Sequence, residues 1–207
     1  MPTSTERFSR ALLGQASDFA IELGPNDVVR LIRYYELLLK WNDRLHLVAP
    51  CSPEEFANRH VLESLVLLPH LPRHARIVDV GSGAGLPIVP CLIVRDDLQA
   101  TLIESSRKKA VFLREALRCA NSTSPAILTM ARFEETVAPD VEFVTCRALD
   151  QFLRMLPTLV DWAPKGSTLL FFAGAALRNQ IKRMLPTAQA YLVPTSTERF
   201  LVKTTRG

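Results

Sequence analysis

Ile77-Val78-Asp79-Val80-Gly81-Ser82-Gly83-Ala84-Gly85-Leu86-Pro87 is the stretch on which the fold turns. A short apolar run ends in a glycine loop, and a proline closes the loop. Ile77, Val78 and Val80 read as a buried parallel strand. Gly81, Gly83 and Gly85 allow a tight turn and a close backbone approach to a ligand, because no Cβ intervenes. Pro87 suits the first turn of a helix, where a missing N–H costs nothing. Strand, glycine loop and helix N-terminus together predict a nucleotide-type site at the end of a parallel strand.

The spacing of the glycines narrows the ligand. A dinucleotide fingerprint of the form GxGxxG would need glycine at position 86, where Leu86 stands. The run Asp79-x-Gly81-x-Gly83-x-Gly85 resembles motif I of the S-adenosylmethionine-dependent methyltransferases. The next apolar run, Ala100-Thr101-Leu102-Ile103, ends in Glu104, 23 residues after Gly81. An acid at the end of the second strand suits hydrogen bonding to two ribose hydroxyls.

Around this centre the chain divides into a helical beginning and an alternating remainder. Residues 6–23 carry Phe8, Leu12, Ala16, Phe19, Ala20 and Leu23 at helical spacing, and Gly24-Pro25 breaks the pattern. Asn26 or Asp27 is expected to cap a second helix bearing Val28, Leu31, Ile32, Tyr35, Leu38 and Leu39, its aromatic residues read as core. Ser52-Pro53-Glu54-Glu55 predicts a capped start, with Glu55 closing a capping box. In that helix Leu62, Leu65, Val66 and Leu68 share one face and Arg59, His60, Glu63 and Ser64 the other, so Arg59 and Glu63 read as an i,i+4 surface pair.

After Glu104 the pattern predicts a helix over 107–118, strands at 126–130 and 141–146, a helix over 151–162, a strand at 168–172 and a helix over 177–185. Two final strands, near 190–193 and 199–203, are expected to pair antiparallel at a sheet edge. The fold class is α/β: a doubly wound, mostly parallel, Rossmann-like sheet with an N-terminal helical extension. Its expected division is a helical cap over 1–75 and a ligand-binding domain over 76–207, forming one compact unit.

Composition agrees with a globular chain: 48% apolar and 22% charged residues in 207. Nothing approaches the roughly 20 consecutive apolar residues of a membrane span. Met1–Arg7 lacks an apolar h-region, so no signal peptide is expected and the cytoplasm is the expected compartment. Cys51, Cys91, Cys119 and Cys146 match no zinc spacing and are expected to be reduced; no metal site is expected. A net charge of +4 permits a polyanionic partner. Arg107, Lys108, Lys109, Arg114 and Arg118 read as the solvated outer face of a sheet-covering helix.

Ligands of an open parallel sheet bind at the carboxyl ends of its strands. That rule gathers Gly81 to Leu86, Glu104, Phe133 with Glu134, and Cys146-Arg147. Phe133 could lie against an adenine ring with Glu134 near its exocyclic amine. No Asn/Asp-Pro-Pro-aromatic run follows the fourth strand, which argues against methylation of exocyclic amines. Cys146 lacks the preceding proline of cytosine-C5 enzymes and reads as packing. A ring nitrogen with a free lone pair, such as guanine N7, needs no deprotonation, and alignment supplies the acceleration.

Four stretches together resemble the bacterial ribosomal RNA small-subunit methyltransferase G family, also called glucose-inhibited division protein B. They are Arg59–Leu65, Asp79–Pro87, Glu104–Lys109 with Phe112-Leu113, and Cys146–Ala148. The resemblance runs from about Tyr35 to about Gly174. It implies S-adenosylmethionine as cofactor, 16S ribosomal RNA or the small ribosomal subunit as partner, and N7 of a guanosine as acceptor; a monomer is expected. It implies donor contacts from Gly81, Leu86, Phe133, Glu134 and Arg147, to which the glycine loop and the strand-end acid add Gly83 and Glu104, and it implies RNA-facing roles for Arg59 and His60; no general base is expected. The chain departs from the family pattern at His46, Val48, Glu63 and Ile88, and at Ala173 where the family carries a lysine that could meet RNA phosphate. These departures keep two alternatives open: another base or a small molecule as acceptor, or donor and RNA binding without catalysis. Pro2–Phe8 also recurs letter for letter as Pro194–Phe200, for which the sequence offers no physical reason.

Overall fold

The computed structural model describes residues 1–120, 126–149 and 151–207. A seven-stranded sheet has the order β3-β2-β1-β4-β5-β7-β6. Its strands are β1 Arg76–Val80, β2 Gln99–Ile103, β3 Ile127–Thr129, β4 Phe143–Arg147, β5 Thr168–Gly174, β6 Gln189–Leu192 and β7 Arg199–Thr205. The five strands β1 to β5 pair in parallel. The last two run antiparallel as expected, β7 entering between β5 and β6. Strand order reverses at β1, whose neighbours are β2 and β4, so the crevice for a ligand opens at the end of β1.

Alternation along the strands feeds two cores. Ile77, Leu102, Leu170 and Leu201 face one side, where they meet Phe8, Leu31, Tyr34, Leu62 and Phe112 in one cluster. Val78, Val80, Val144, Phe171 and Val202 face the other, against Phe152, Leu156 and Ile181. The first side is covered by α1 (Ser4–Gln15), α2 (Pro25–Leu45), the 53–65 helical segment, α5 (Ile88–Val94) and α6 (Arg107–Leu117). The second is covered by α7 (Phe152–Trp162) and α8 (Ala175–Met184). Tyr35 is a core residue, as its spacing predicts, and Tyr34 beside it is buried too.

Several boundaries differ from expectation. The first helix stops at Gln15 and tightens into a 3₁₀ turn, Ala16–Phe19, ending at Ala20 with φ 54°. Gly24, not Asn26 or Asp27, is the cap of α2; Pro25 comes directly after it and Asp27 accepts the Gly24 N–H at 2.9 Å. Leu39 is 41% exposed, outside the buried stripe of α2. Pro87 is the residue before α5 rather than its first turn, and the Leu86-Pro87 bond is cis.

The segment after Ser52 departs most. Short α-turns α3 (Pro53–Glu55) and α4 (Glu63–Leu65) flank a π-helical stretch, Phe56–Leu62. Bonds from i to i+5 widen the turn, so a 3.6-residue wheel loses its phase. Glu63 and Ser64 therefore point inward, 2% and 0% exposed. The expected Arg59–Glu63 surface pair is absent: Arg59 pairs with Glu55, and Glu63 accepts from Arg199 Nε at 2.8 Å. Ser52 caps through the Glu55 N–H, but the Glu55 carboxylate holds Arg59 instead of closing a capping box.

Candidate active site

The glycine loop hangs from the end of β1. Gly81 and Ser82 donate their N–H groups to the Ile103 carbonyl at 2.9 and 3.1 Å, tying the loop to the end of β2. Gly81, Gly83 and Gly85 have φ values of 71°, 52° and 79°, the left-handed region expected of them. A Cβ on Gly85 would come within 2.6 Å of Val89 Cγ2 and one on Gly81 within 2.8 Å of the tip of Leu149, and the positive φ at both disfavours a side chain whatever the space.

Glu104 is 6% exposed and closes the loop from the side. Its Oε2 accepts the Gly83 N–H at 2.8 Å and its Oε1 accepts the Ser106 N–H at 2.7 Å. Each carboxylate oxygen keeps a further lone pair for a ligand hydroxyl. Ile103 and Ser105, its chain neighbours, line a cavity of about 480 Å³ with Gly81, Phe133, Glu134 and Met155. Phe133 is buried and meets Trp162 edge-on at 5.6 Å. Glu134 is exposed and accepts from Arg132 Nε at 3.0 Å.

A second hollow of about 310 Å³ shares Gly81 with the first. Val48, His60, Gly83, Leu86, Lys109 and Arg147 line it. Arg147 donates to the Arg59 carbonyl at 2.7 Å and to Ser64 Oγ at 3.4 Å, and its guanidinium stands 5.4 Å from the Phe172 ring centre. Burial lowers the Arg147 pKa, and Glu63, 3.7 Å away, opposes that fall. The His60 ring packs 5.1 Å from Phe56. Burial, with Arg147, Arg59 and Arg199 nearby, pushes its pKa down to about 3, so the imidazole is neutral at physiological pH. Its Nδ1 is buried without a hydrogen-bond partner among the described residues.

The structure thus brings Gly81, Phe133 and Glu134 to one hollow and Gly81, Gly83, Leu86, Arg147 and His60 to the other, with Glu104 beside the loop. Arg59 lines neither; its side chain is half exposed and only its carbonyl reaches Arg147. Lys109 is a correction: expected on a solvated face, it lines the second hollow. Cys146 is buried and its thiol pKa is pushed far up by burial, which suits packing and not nucleophilic chemistry. The four cysteines are free, and among the described residues no cluster of His, Cys, Asp or Glu could hold a metal ion.

Two polar residues beside the loop have surroundings that the sequence does not reveal. Asp79 is fully buried on the Ile77 face of β1, and neither carboxylate oxygen has a hydrogen-bond partner among the described residues. Burial pushes its pKa up to about 7, the Glu104 charge adding to the rise. Tyr34, also fully buried, donates its hydroxyl to the Ala84 carbonyl at 2.6 Å. Asp79 opens the motif run that the sequence marks, but its unpartnered burial depends on distant neighbours; Tyr34 lies beside the helical stripe and carries no local signal of its own.

A family model described as rRNA small subunit methyltransferase G matches residues 27–201. A ribosomal RNA small subunit methyltransferase G from Xanthomonas axonopodis is 34% identical over 181 residues, covering 87% of this chain and 82% of the relative. One from Xanthomonas campestris is 38% identical over 152 residues, 73% and 71% of the two chains. One from Nitrosomonas europaea is 50% identical over 88 residues, a match spanning 42% of this chain and 41% of that protein. Among solved structures, a methyltransferase from Pyrococcus furiosus superposes with a TM-score of 0.61 at 13% identity, covering 86% of this chain and 98% of its own. The tRNA (m1A58) methyltransferase from Aquifex aeolicus does so at 0.54 and 11% identity, covering 69% and 67%. At such identities the structures share the fold, a Rossmann-like methyltransferase sheet, with this chain. With the family model spanning most of its length, and relatives above 30% identity over more than two thirds of it, the chain belongs to the rRNA small subunit methyltransferase G family.

Proposed function

We propose that this chain transfers a methyl group from S-adenosylmethionine to N7 of a guanosine in 16S ribosomal RNA, acting as a cytoplasmic monomer on the small subunit or its RNA. Among the described residues no helix is long and apolar enough to cross a membrane. The observation that carries the reading is Glu104: a buried carboxylate at the end of β2, bonded to the Gly83 N–H of the glycine loop, in a chain of this family.

The residues suit the donor. The cavity of about 480 Å³ has the size of a nucleoside site, with Ile103 and Phe133 as apolar walls and Glu134 as an acceptor for an exocyclic amine. Glu104 would hold the ribose hydroxyls. Gly81, common to both hollows, would let the donor pass from one to the other without a side chain in the way. Leu86 and Arg147 would hold its amino-acid end. S-adenosylmethionine, when bound, supplies a sulfonium methyl as electrophile.

The acceptor base would enter the second hollow, lined by His60 and Lys109, while Arg59, outside the hollow and joined to it through its carbonyl on Arg147, would face the RNA backbone. A neutral His60 adds no charge beside the sulfonium. Guanine N7 attacks through its own lone pair, so the protein need only hold nucleophile, methyl carbon and sulfur in line. Ala173, 5% exposed in β5, contributes no charge; Arg147, on the neighbouring strand β4, and Arg59 offer positive charge in its place.

Mass spectrometry of 16S ribosomal RNA from cells lacking this gene tests the reading. Loss of one 7-methylguanosine, restored by the intact gene, is expected. An unchanged complement of 7-methylguanosine would refute it.

A further inference from the structure

Helix α2 does more than cover the sheet. Eight residues apart, and so about 12 Å along the helix, Tyr34 and Asn42 each grip the backbone of a wall of the site. The Tyr34 hydroxyl donates to the Ala84 carbonyl at 2.6 Å, between Gly83 and Gly85. The Asn42 side chain grips Val48 from both sides: its amide donates to the Val48 carbonyl at 3.1 Å and its oxygen accepts the Val48 N–H at 2.9 Å. Val48 lines the second hollow together with Leu47, Ala49 and Ala84.

We propose that Tyr34 and Asn42 are positioning residues for methyl transfer, Tyr34 setting the glycine loop for the donor and Asn42 setting the 47–49 wall for the acceptor. The proposal rests on the assignment of the two hollows to donor and acceptor. Packing alone does not account for Tyr34. It is fully buried, and a phenylalanine would fill the same space without burying a hydroxyl that needs a partner. The carbonyl it holds belongs to a loop whose flanking glycines have φ values of 52° and 79°. Glycines carry the greatest backbone freedom, so an external tether limits how far this loop can wander before a ligand arrives. The N-terminal helices thereby become part of the site.

The test is calorimetric binding of S-adenosylhomocysteine together with steady-state methylation of small ribosomal subunits. Tyr34→Phe is expected to weaken S-adenosylhomocysteine by about five- to tenfold, the equivalent of one buried hydrogen bond, with turnover at saturating donor within about twofold. Asn42→Ala is expected to raise KM for the ribosomal particle about fivefold while leaving S-adenosylhomocysteine affinity unchanged, as the loss of one or two backbone clamps allows. Leu31→Val, buried on the same helix, controls for destabilisation and should leave both affinities at the wild-type value. Equal donor affinity in Tyr34→Phe and wild type, or an equal loss in Leu31→Val, overturns the role of Tyr34. An unchanged particle KM in Asn42→Ala overturns the role of Asn42. A wild-type protein that binds no S-adenosylhomocysteine would fail the functional reading itself, a separate result.

Discussion

Glu104→Ala is expected to weaken S-adenosylhomocysteine binding by 100-fold or more, at the level of about 3 kcal/mol for a charged group with several hydrogen bonds. Two losses add. The ribose hydroxyls lose their acceptor, and the Gly83 and Ser106 N–H groups, now at 2.8 and 2.7 Å from the carboxylate, lose theirs. The first of these amides lies within the glycine loop, so the loop loses its side anchor as the ligand loses its partner. Glu104→Gln should fall between: its amide oxygen can accept one of the two N–H groups, while its NH₂ opposes the other. Affinity within threefold of wild type in Glu104→Ala, measured by calorimetry on folded protein, would remove Glu104 from the donor site.

Asp79→Asn is expected to stabilise the ligand-free protein at pH 8 by about 2–4 kcal/mol, given that a pKa displacement of one unit is worth about 1.4 kcal/mol. The Asp79 carboxyl is fully buried, lacks a partner among the described residues and has its pKa pushed up to about 7. Because the folded pKa lies above the unfolded one, its contribution to stability is fully present below about pH 4 and is lost as the pH rises through 7. The advantage of asparagine should therefore disappear at pH 4. His60 acts with the opposite sign. Its folded pKa of about 3 lies below the ordinary value, so its contribution is present above about pH 6.5 and fades as the pH falls towards 3. Between about pH 4 and 6.5 the two oppose one another, and Asp79→Asn should expose a steeper acid loss than wild type shows. Urea unfolding across this range is the measurement; a difference between the two proteins that does not change with pH would contradict it.

The parts of the site visible in the sequence are those whose geometry is local. Three glycines in the left-handed region must be glycines, and a strand-end acid must come after an apolar run, so Gly81, Gly83, Gly85 and Glu104 announce themselves. The doubly wound, mostly parallel sheet follows from the alternation of strand and helix patterns, down to the antiparallel pair at the edge; the strand order itself comes from the structure. The parts hidden from the sequence depend on distant neighbours. Glu63 reads as solvent-facing on a 3.6-residue wheel, but the residues before it form a π-helix. Lys109 reads as an outer-face charge because nothing in its helix records that the second hollow opens beside it.

The repeated heptapeptide shows the same limit in one chain. In the first copy Thr3 caps α1 and Phe8 is buried within it; in the second Thr195 has φ 59° and Arg199-Phe200 begin β7. The flanks decide. Ala11 and Leu12 continue a helical stripe, whereas Leu201-Val202 continue a strand held between β5 and β6. Both copies bond to the 53–65 segment, Arg7 to Glu54 and Arg199 to Glu63. Nothing in the structure explains why the seven residues are identical.

Methylation at guanine N7 is open to direct measurement, as transfer from labelled S-adenosylmethionine to small ribosomal subunits that lack their N7 methylation. Label recovered as 7-methylguanosine in 16S ribosomal RNA is the predicted result. Bound donor with no label in 7-methylguanosine, under conditions in which a relative of the family modifies the same particles, would contradict it.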